Sequence, residues 1–523
     1  MHFLVIGFPA ARCVLGLCLR QGNTARMAIS MLEWLLVSAL AACMVLLLLK
    51  STAQPYPATL PCLPSLPIVG SLLSLKTSLP LHLQFTSLRE KYGELFALYV
   101  GPHYTVVINS FTLAKEVLLH NGKAFAGRPH MMTTDLLSRG GKDIAFADYS
   151  PLWKAHRRLV HSSFVASGEG SSKLQGIVCE EASILCSILS AKAGEPLDPG
   201  PVLTRAVTNV VCTLVFSSKY HPEDAEFNTV MEYNNGIVHT IARGNLVDIF
   251  PWLKIFPNRD LKQLKECIQV RDKLLTNKLE EHKKSYSPDD TRDLMDVLLK
   301  GRNGPGAESG ITDDHVLMTA AEAFGAGVET TSTTLLWALA FLIHYPEVQK
   351  KIHQEIDEKI GHDRTPNLSD RGQLPYLEST LSEVLRIRPV APLLIPHVAL
   401  QDTSIGEHFI PKDTRVVVNM WSIHHDPRQW DEPERFRPER FLDSQGQRSS
   451  PASFIPFGAG PRVCVGESLA KMELFLFSSW LLQRFSVSGP PGAGLPDLGG
   501  RYGVVLQPQP YSVVITPRQG RAK

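Results

Sequence analysis

The chain has 523 residues, 44% hydrophobic and 20% charged, with a formal net charge of +2. That length buries a large core, the near-neutral balance gives no electrostatic case for nucleic acid, and no period of 20–50 residues points to a solenoid. Nine cysteines with no C-x-x-C pair exclude a zinc ribbon or disulfide framework and suit a reducing compartment.

Residues 1–26 bring Arg12, Arg20 and Arg26 ahead of an apolar run, where cations oppose a topology that leaves the body cytosolic. They read as an upstream extension, with Met27 as the better start. Residues 27–50 are uncharged from Trp34 to Leu49 and approach the ~20 residues that span a bilayer, so a single membrane anchor is expected there. Residues 51–70 carry Pro55, Pro57, Pro61, Pro64 and Pro67 and read as a stiff hinge. Residues 71–523 read as one body.

Within that body, helical spacing is expected over 85–98, 171–192, 261–285, 316–344 and 467–485. Strands are expected over 95–100 and 104–110, joined by a Gly-Pro turn, and over 414–420 and 511–517. The fold class is therefore mainly α with small β-sheets. The stretch from Val316 to His344 is apolar nearly all round, which predicts a helix through the core, interrupted at Gly325-Ala326-Gly327.

One loop carries the chemistry. "FGAGPRVCVGESLA" (457–470) holds a lone Cys464 among glycines, just before a helical run. Gly458 and Gly460 allow tight turns, Gly466 allows close backbone approach, and a helix N-terminus favours a thiolate. Arg462 suits a carboxylate of a bound group. The loop fits an axial cysteine on haem iron better than a cysteine hydrolase, for which no local histidine signature is present.

Phe457, Gly460, Arg462, Cys464 and Gly466 together resemble the haem-binding signature of the cytochromes P450. Further stretches agree in order. "EVLR" holds Glu383 and Arg386 on one helix face, and by the resemblance they form a structural triad with Arg440 of "PERF". Trp153 and Arg157 of "WKAHR", Arg128 of "FAGRP" and His397 of "LIPH" match residues that hold haem. "AGVET" resembles the family's dioxygen groove, with Thr330 and Glu329 delivering protons.

The resemblance implies a P450 fold, haem b, O2, and electrons from NADPH through a separate NADPH-cytochrome P450 reductase. It is greatest to family members that hydroxylate C17 of progestogen steroids, progesterone and pregnenolone. It implies an endoplasmic reticulum membrane protein with a cytosolic catalytic domain. Ala145, Phe146, Ala326, Gly327, Val390, Ala391, Ile395 and Val504 match apolar pocket positions, and Asn234 and Arg271 match the polar end. A haem-thiolate isomerase is disfavoured by Glu329-Thr330, and a non-catalytic steroid binder by Cys464.

Departures concern a second activity, 17,20-cleavage, which in the family is boosted by cytochrome b5. Ser382 stands where relatives carry arginine, His120 and Asn121 replace a lysine pair, Lys471 replaces an arginine, and Arg371 is kept. Ala321-Glu322 replaces Gly-Asp ahead of the oxygen groove. Fewer cations imply weak cleavage, with full bifunctionality, or hydroxylation at another steroid position, as the alternatives.

Overall fold

The computed structural model describes residues 34–39, 41–42, 60–75, 79–166, 172–221, 223–242, 244–303 and 310–518. The expected extension over 1–26 and most of the expected anchor lie outside the described residues. Residues 34–39 and 41–42 are helical, and Trp34 to Val37 are exposed.

Eleven described helices have ten or more residues: α1 Leu81–Tyr92, α2 Pro151–Ala166, α3 Ser172–Ala191, α4 Pro199–Phe216, α5 Ala225–Ala242, α6 Arg259–Ser285, α7 Leu294–Asn303, α8 Asp313–His344, α9 Pro346–Lys359, α10 Pro375–Ile387 and α11 Glu467–Arg484. Four of the five expected helical stretches fall on α3, α6, α8 and α11. The first is shorter than expected. Gly93 at φ +90° ends α1, and Leu95 already begins a strand.

Strands β1 (Leu95–Val100) and β2 (His103–Ile108) form the expected hairpin. The later strands are β3 (Pro196–Leu197), β4 (His397–Val398), β5 (Thr403–Ile405), β6 (His408–Ile410), β7 (Arg415–Val418), β8 (Phe485–Ser488), β9 (Arg501–Tyr502), β10 (Leu506–Gln507) and β11 (Val513–Pro517). The largest sheet has the order β1-β2-β7-β4, with β2 and β7 parallel; a second has the order β3-β11-β8.

The hinge reading needs correction over its second half. Leu63 donates its N–H to Ala97, Leu60 and Leu63 are buried, and Gly70 turns against Tyr99 and Gly101. From Leu60 onward the proline-rich stretch is docked on β1.

Helix α8 runs through the core. Thr312 and His315 form a capping box, and Asp313 and Asp314 sit in the positive first turn. Its interior hydroxyls satisfy themselves: Thr319, Ser332 and Thr334 donate to the carbonyls four residues earlier at 2.7–2.8 Å. This explains how its hydroxyl residues stay buried. The expected interruption at 325–327 is absent, and the helix is continuous. A Cβ at Gly327 would lie 3.2 Å from Val211 of α4, so glycine lets these two helices approach closely here.

Candidate active site

The cysteine loop is built from two left-handed glycines. Gly458 and Gly460 both have φ +72°, and the Cys464 N–H closes the loop on Phe457 O at 2.9 Å. Gly460 lies against backbone; a Cβ there would fall 1.7 Å from Leu118 O. Gly466 is the N-cap of α11, and its backbone N–H points to the sulfur.

Cys464 is accessible although protein surrounds it. Ala326 is likewise accessible mid-way along an otherwise buried helix, as are Ile395 and Val504, each 41% exposed. An accessible sulfur with protein around it marks a recess at Cys464. In the protein alone, enclosure raises the thiol pKa of Cys464, opposed by the Gly466 N–H and by Arg157. Enclosure thus works against the thiolate that the helix N-terminus favours; a bound metal ion deprotonates a coordinating thiol outright.

Beside the cysteine, cations crowd together. Arg462 donates to the carbonyls of Ala126, Ile144 and Ala147 at 2.7–3.1 Å and stacks 4.2 Å from the Trp153 ring. Arg128 donates to Ala145 O at 2.8 Å, Ile395 O at 2.9 Å and Pro396 O at 3.0 Å. Trp153 Nε1 donates to Ile144 O, Arg157 to Val463 O, and His397 Nδ1 bonds Phe125 O. Desolvation and mutual repulsion pull Arg128 down to about 9 and Arg462 to about 10, and hold His397 near 3.

Three guanidinium groups sharing an interior are costly without anionic partners. Among the described residues their hydrogen bonds run to carbonyls; the nearby carboxylates, Asp143 and Glu322, accept instead from backbone N–H groups of the loop. An open thiol beside such a cluster fits a flat metal macrocycle bearing carboxylates, which is the chemistry of haem b.

On α8, Thr330 Oγ1 donates to Ala326 O at 2.8 Å, which holds the hydroxyl over the accessible Ala326 with its lone pairs free to accept. Glu329 accepts from Gln507 Nε2 of β10, and burial raises its pKa. Gln507 was not singled out from the sequence. A polar residue alternating with apolar ones in a short strand gave no signal of which carboxylate it meets.

The pocket walls converge. Arg128 ties Ala145 to Ile395, and Leu506 N–H meets Val390 O at 2.9 Å, bringing the Val390–Ala391 segment to the turn that carries Val504. Asn234, on α5, is buried, and its Oδ1 lies 3.9 Å from the Cβ that Gly325 lacks. Arg271, on α6, is buried with its charge met by Asp272 at 2.7 Å, and its NH2 also reaches the sulfur of Met318. Phe146 lies in the same loop as Ala145.

Behind the cysteine loop, Glu383 and Arg386 are fully buried and doubly bonded at 2.7 and 2.8 Å, and Arg440 reaches Glu383 at 3.0 Å. Arg386 also bonds His424 O and Pro433 O, so the triad fastens α10 to the segment before the cysteine loop.

The family model for cytochrome P450 matches residues 60–515. The chain belongs to the cytochrome P450 family. It is 55% identical over 499 residues to a steroid 17-alpha-hydroxylase/17,20 lyase of Oryzias latipes, covering 93% of this chain and 96% of that one. It is 59% identical over 459 residues to the protein of that name from Gallus gallus, covering 86% and 90%. A solved zebra fish cytochrome P450 with progesterone superposes with a TM-score of 0.78 at 62% identity, covering 84% of this chain and all of that one.

Proposed function

We propose that this P450 is a haem-thiolate monooxygenase that hydroxylates C17 of progestogen steroids. The observation that carries the reading is an open Cys464 beside the Arg128–Arg157–Arg462 cluster, in a cavity reached by Ala326 and Thr330. The relatives' names and the progesterone-bound neighbour supply the substrate class. Bound haem supplies oxygen activation. Cys464 would supply its thiolate ligand, and Arg128, Arg157, Arg462, Trp153 and His397 would hold its carboxylates, with Phe457, Gly458 and Gly466 shaping the loop.

The chain's own contribution is positional. Ala145, Phe146, Ala326, Val390, Ala391, Ile395 and Val504 exclude water and present one carbon, while Asn234 and Arg271 set the far end. Thr330 and Glu329 move protons to dioxygen. One C–H becomes C–OH, the second oxygen atom leaves as water, and the electron pair comes from NADPH through a separate reductase. A groove of ≈ 400 Å³ lined by Lys154, Arg157, Arg158, His161 and the Gly460–Val463 loop is a basic face suited to an acidic electron donor.

Exposed Leu66, Ile68 and Leu73 and exposed Leu246, Trp252, Ile255 and Phe256 belong to two segments that both close on the Gly101 turn. Such an apolar patch, on the chain that follows the apolar residues 34–49, supports a body lying on the endoplasmic reticulum membrane and facing the cytosol.

The expectation of weak 17,20-cleavage rested on lost cations. At Ser382 the loss is offset: Arg448 donates to Ser382 Oγ at 2.8 Å and to Glu378 at 2.9 Å. This supports a second reading, in which cleavage persists and depends on Arg448. The test is to load the chain with haem, add reductase and progesterone or pregnenolone with and without cytochrome b5, and analyse the products. The expected product is the 17α-hydroxysteroid; none at all, with a normal thiolate–carbon monoxide band, overturns the reading.

A further inference from the structure

The loop Asp143–Ala147 has no regular secondary structure, yet its backbone groups are held by side chains from around the site. Ile144 O accepts from Trp153 and Arg462, Ala145 O from Arg128, and Ala147 O from Arg462. The Phe146 N–H is met by Asp143 at 3.1 Å. The Ile144 N–H is met by Glu322 Oε2 at 2.7 Å, and the Ala145 N–H also points to that carboxyl.

Glu322 comes from α8, four residues before Ala326 and seven before Glu329. That spacing puts all three on one helix face, the face with the accessible residues. The contact completes a ring around the cavity. Glu322 ties α8 to the loop, Arg128 ties the loop to Ile395, Val390 ties that segment to β10, and Gln507 ties β10 back to Glu329 of α8.

We propose that Glu322 is a positioning residue for substrate: by holding the Ile144 and Ala145 amides it sets the gap between the loop and the oxygen-groove face of α8. A flat apolar ligand must enter that gap, so the identity and length of this side chain tune its affinity. The inference rests on the monooxygenase reading for its ligand, but the pin itself is a property of the polypeptide. Around Glu322 stand Asp143, Arg128, Arg157, Arg462 and Cys464. Burial and Asp143 both raise its pKa. Glutamine keeps the length of this side chain and an oxygen that can accept from the two amides.

The test uses the haem-loaded full chain with Glu322→Gln and Glu322→Leu, plus Glu322→Asp, which is one methylene too short. Amide hydrogen exchange over 143–147 and progesterone titration by absorbance are the readouts. Leu and Asp should speed exchange at Ile144 and Ala145 by roughly ten- to hundredfold, the scale of one lost buried hydrogen bond. They should raise the progesterone Kd and KM about tenfold or more with kcat little changed, and Gln should restore both. Unchanged exchange in Leu and Asp, or fast exchange with unchanged Kd, overturns the proposal. If the wild-type chain binds no progesterone, the steroid reading fails while the exchange rates still decide the pin.

Discussion

Two glycines of the cysteine loop share one backbone conformation and should tolerate alanine very differently. Gly458 and Gly460 both have φ +72°, so alanine at either pays about 1–2 kcal/mol of left-handed strain. At Gly458 the new Cβ meets only Leu394 Cδ1, at 3.8 Å, an ordinary contact. At Gly460 it lands 1.7 Å from Leu118 O and 2.8 Å from Leu118 C, where ordinary contact begins at 3.4 Å. The separation would have to double to reach ordinary contact, and the carbonyl belongs to backbone rather than to a flexible tip. Leu118 is buried, so the loop must move instead, and Cys464 moves with it. The assay is haem content per chain and the thiolate–carbon monoxide band of the two purified variants. Gly458→Ala should keep both near wild type with a modestly lower Tm. Gly460→Ala should lose most of the band. Equal behaviour of the two variants would refute the argument from close approach.

Cys464→Ala should abolish the thiolate band and steroid turnover, checked by difference spectra and product analysis. Glu383→Gln should lower stability by about 3–5 kcal/mol, because Arg386 and Arg440 are left buried with a weakened partner; thermal melting and haem retention measure it. Thr330→Ala should divert electrons from product to hydrogen peroxide, read as the ratio of NADPH consumed to steroid hydroxylated. His282 is buried and would be lowered by burial, but its 2.8 Å bond to Asp293 outweighs that and raises its pKa. Its stabilisation is thus full below the unfolded value of about 6.5 and is lost as pH rises through the higher folded value. The melting difference between wild type and His282→Gln should shrink from pH 6 to pH 9.

The sequence makes the cysteine loop, the triad and the central helix legible because each depends on local chemistry. Cys464 is framed by glycines that only a tight loop needs, Glu383 and Arg386 share a helix face, and the stretch from Val316 is apolar all round. It misleads where local and tertiary demands differ. Gly325-Ala326-Gly327 reads as a break, since glycine costs a helix about 1 kcal/mol, but packing of Gly327 on Val211 holds the helix through it. The proline run reads as a free hinge, but docking on β1 claims its second half.

The links between the pocket walls are the least legible part, and the reason is physical. Glu322 meets Ile144 across 178 residues of chain, Gln507 meets Glu329 across 178, and Arg128 meets Ile395 across 267. No periodicity or spacing reports such pairs. Each instead joins a side chain to a wall that has no regular structure or only a short strand, so the wall's position is set by its partner rather than by its own hydrogen-bond ladder. A substitution at one of these partners should therefore shift the shape of the cavity while leaving the helices intact. On the proposed function, Cys464 and Thr330 carry the oxygen chemistry, and residues such as Glu322, Arg128 and Gln507, which hold the walls, should decide which carbon it reaches.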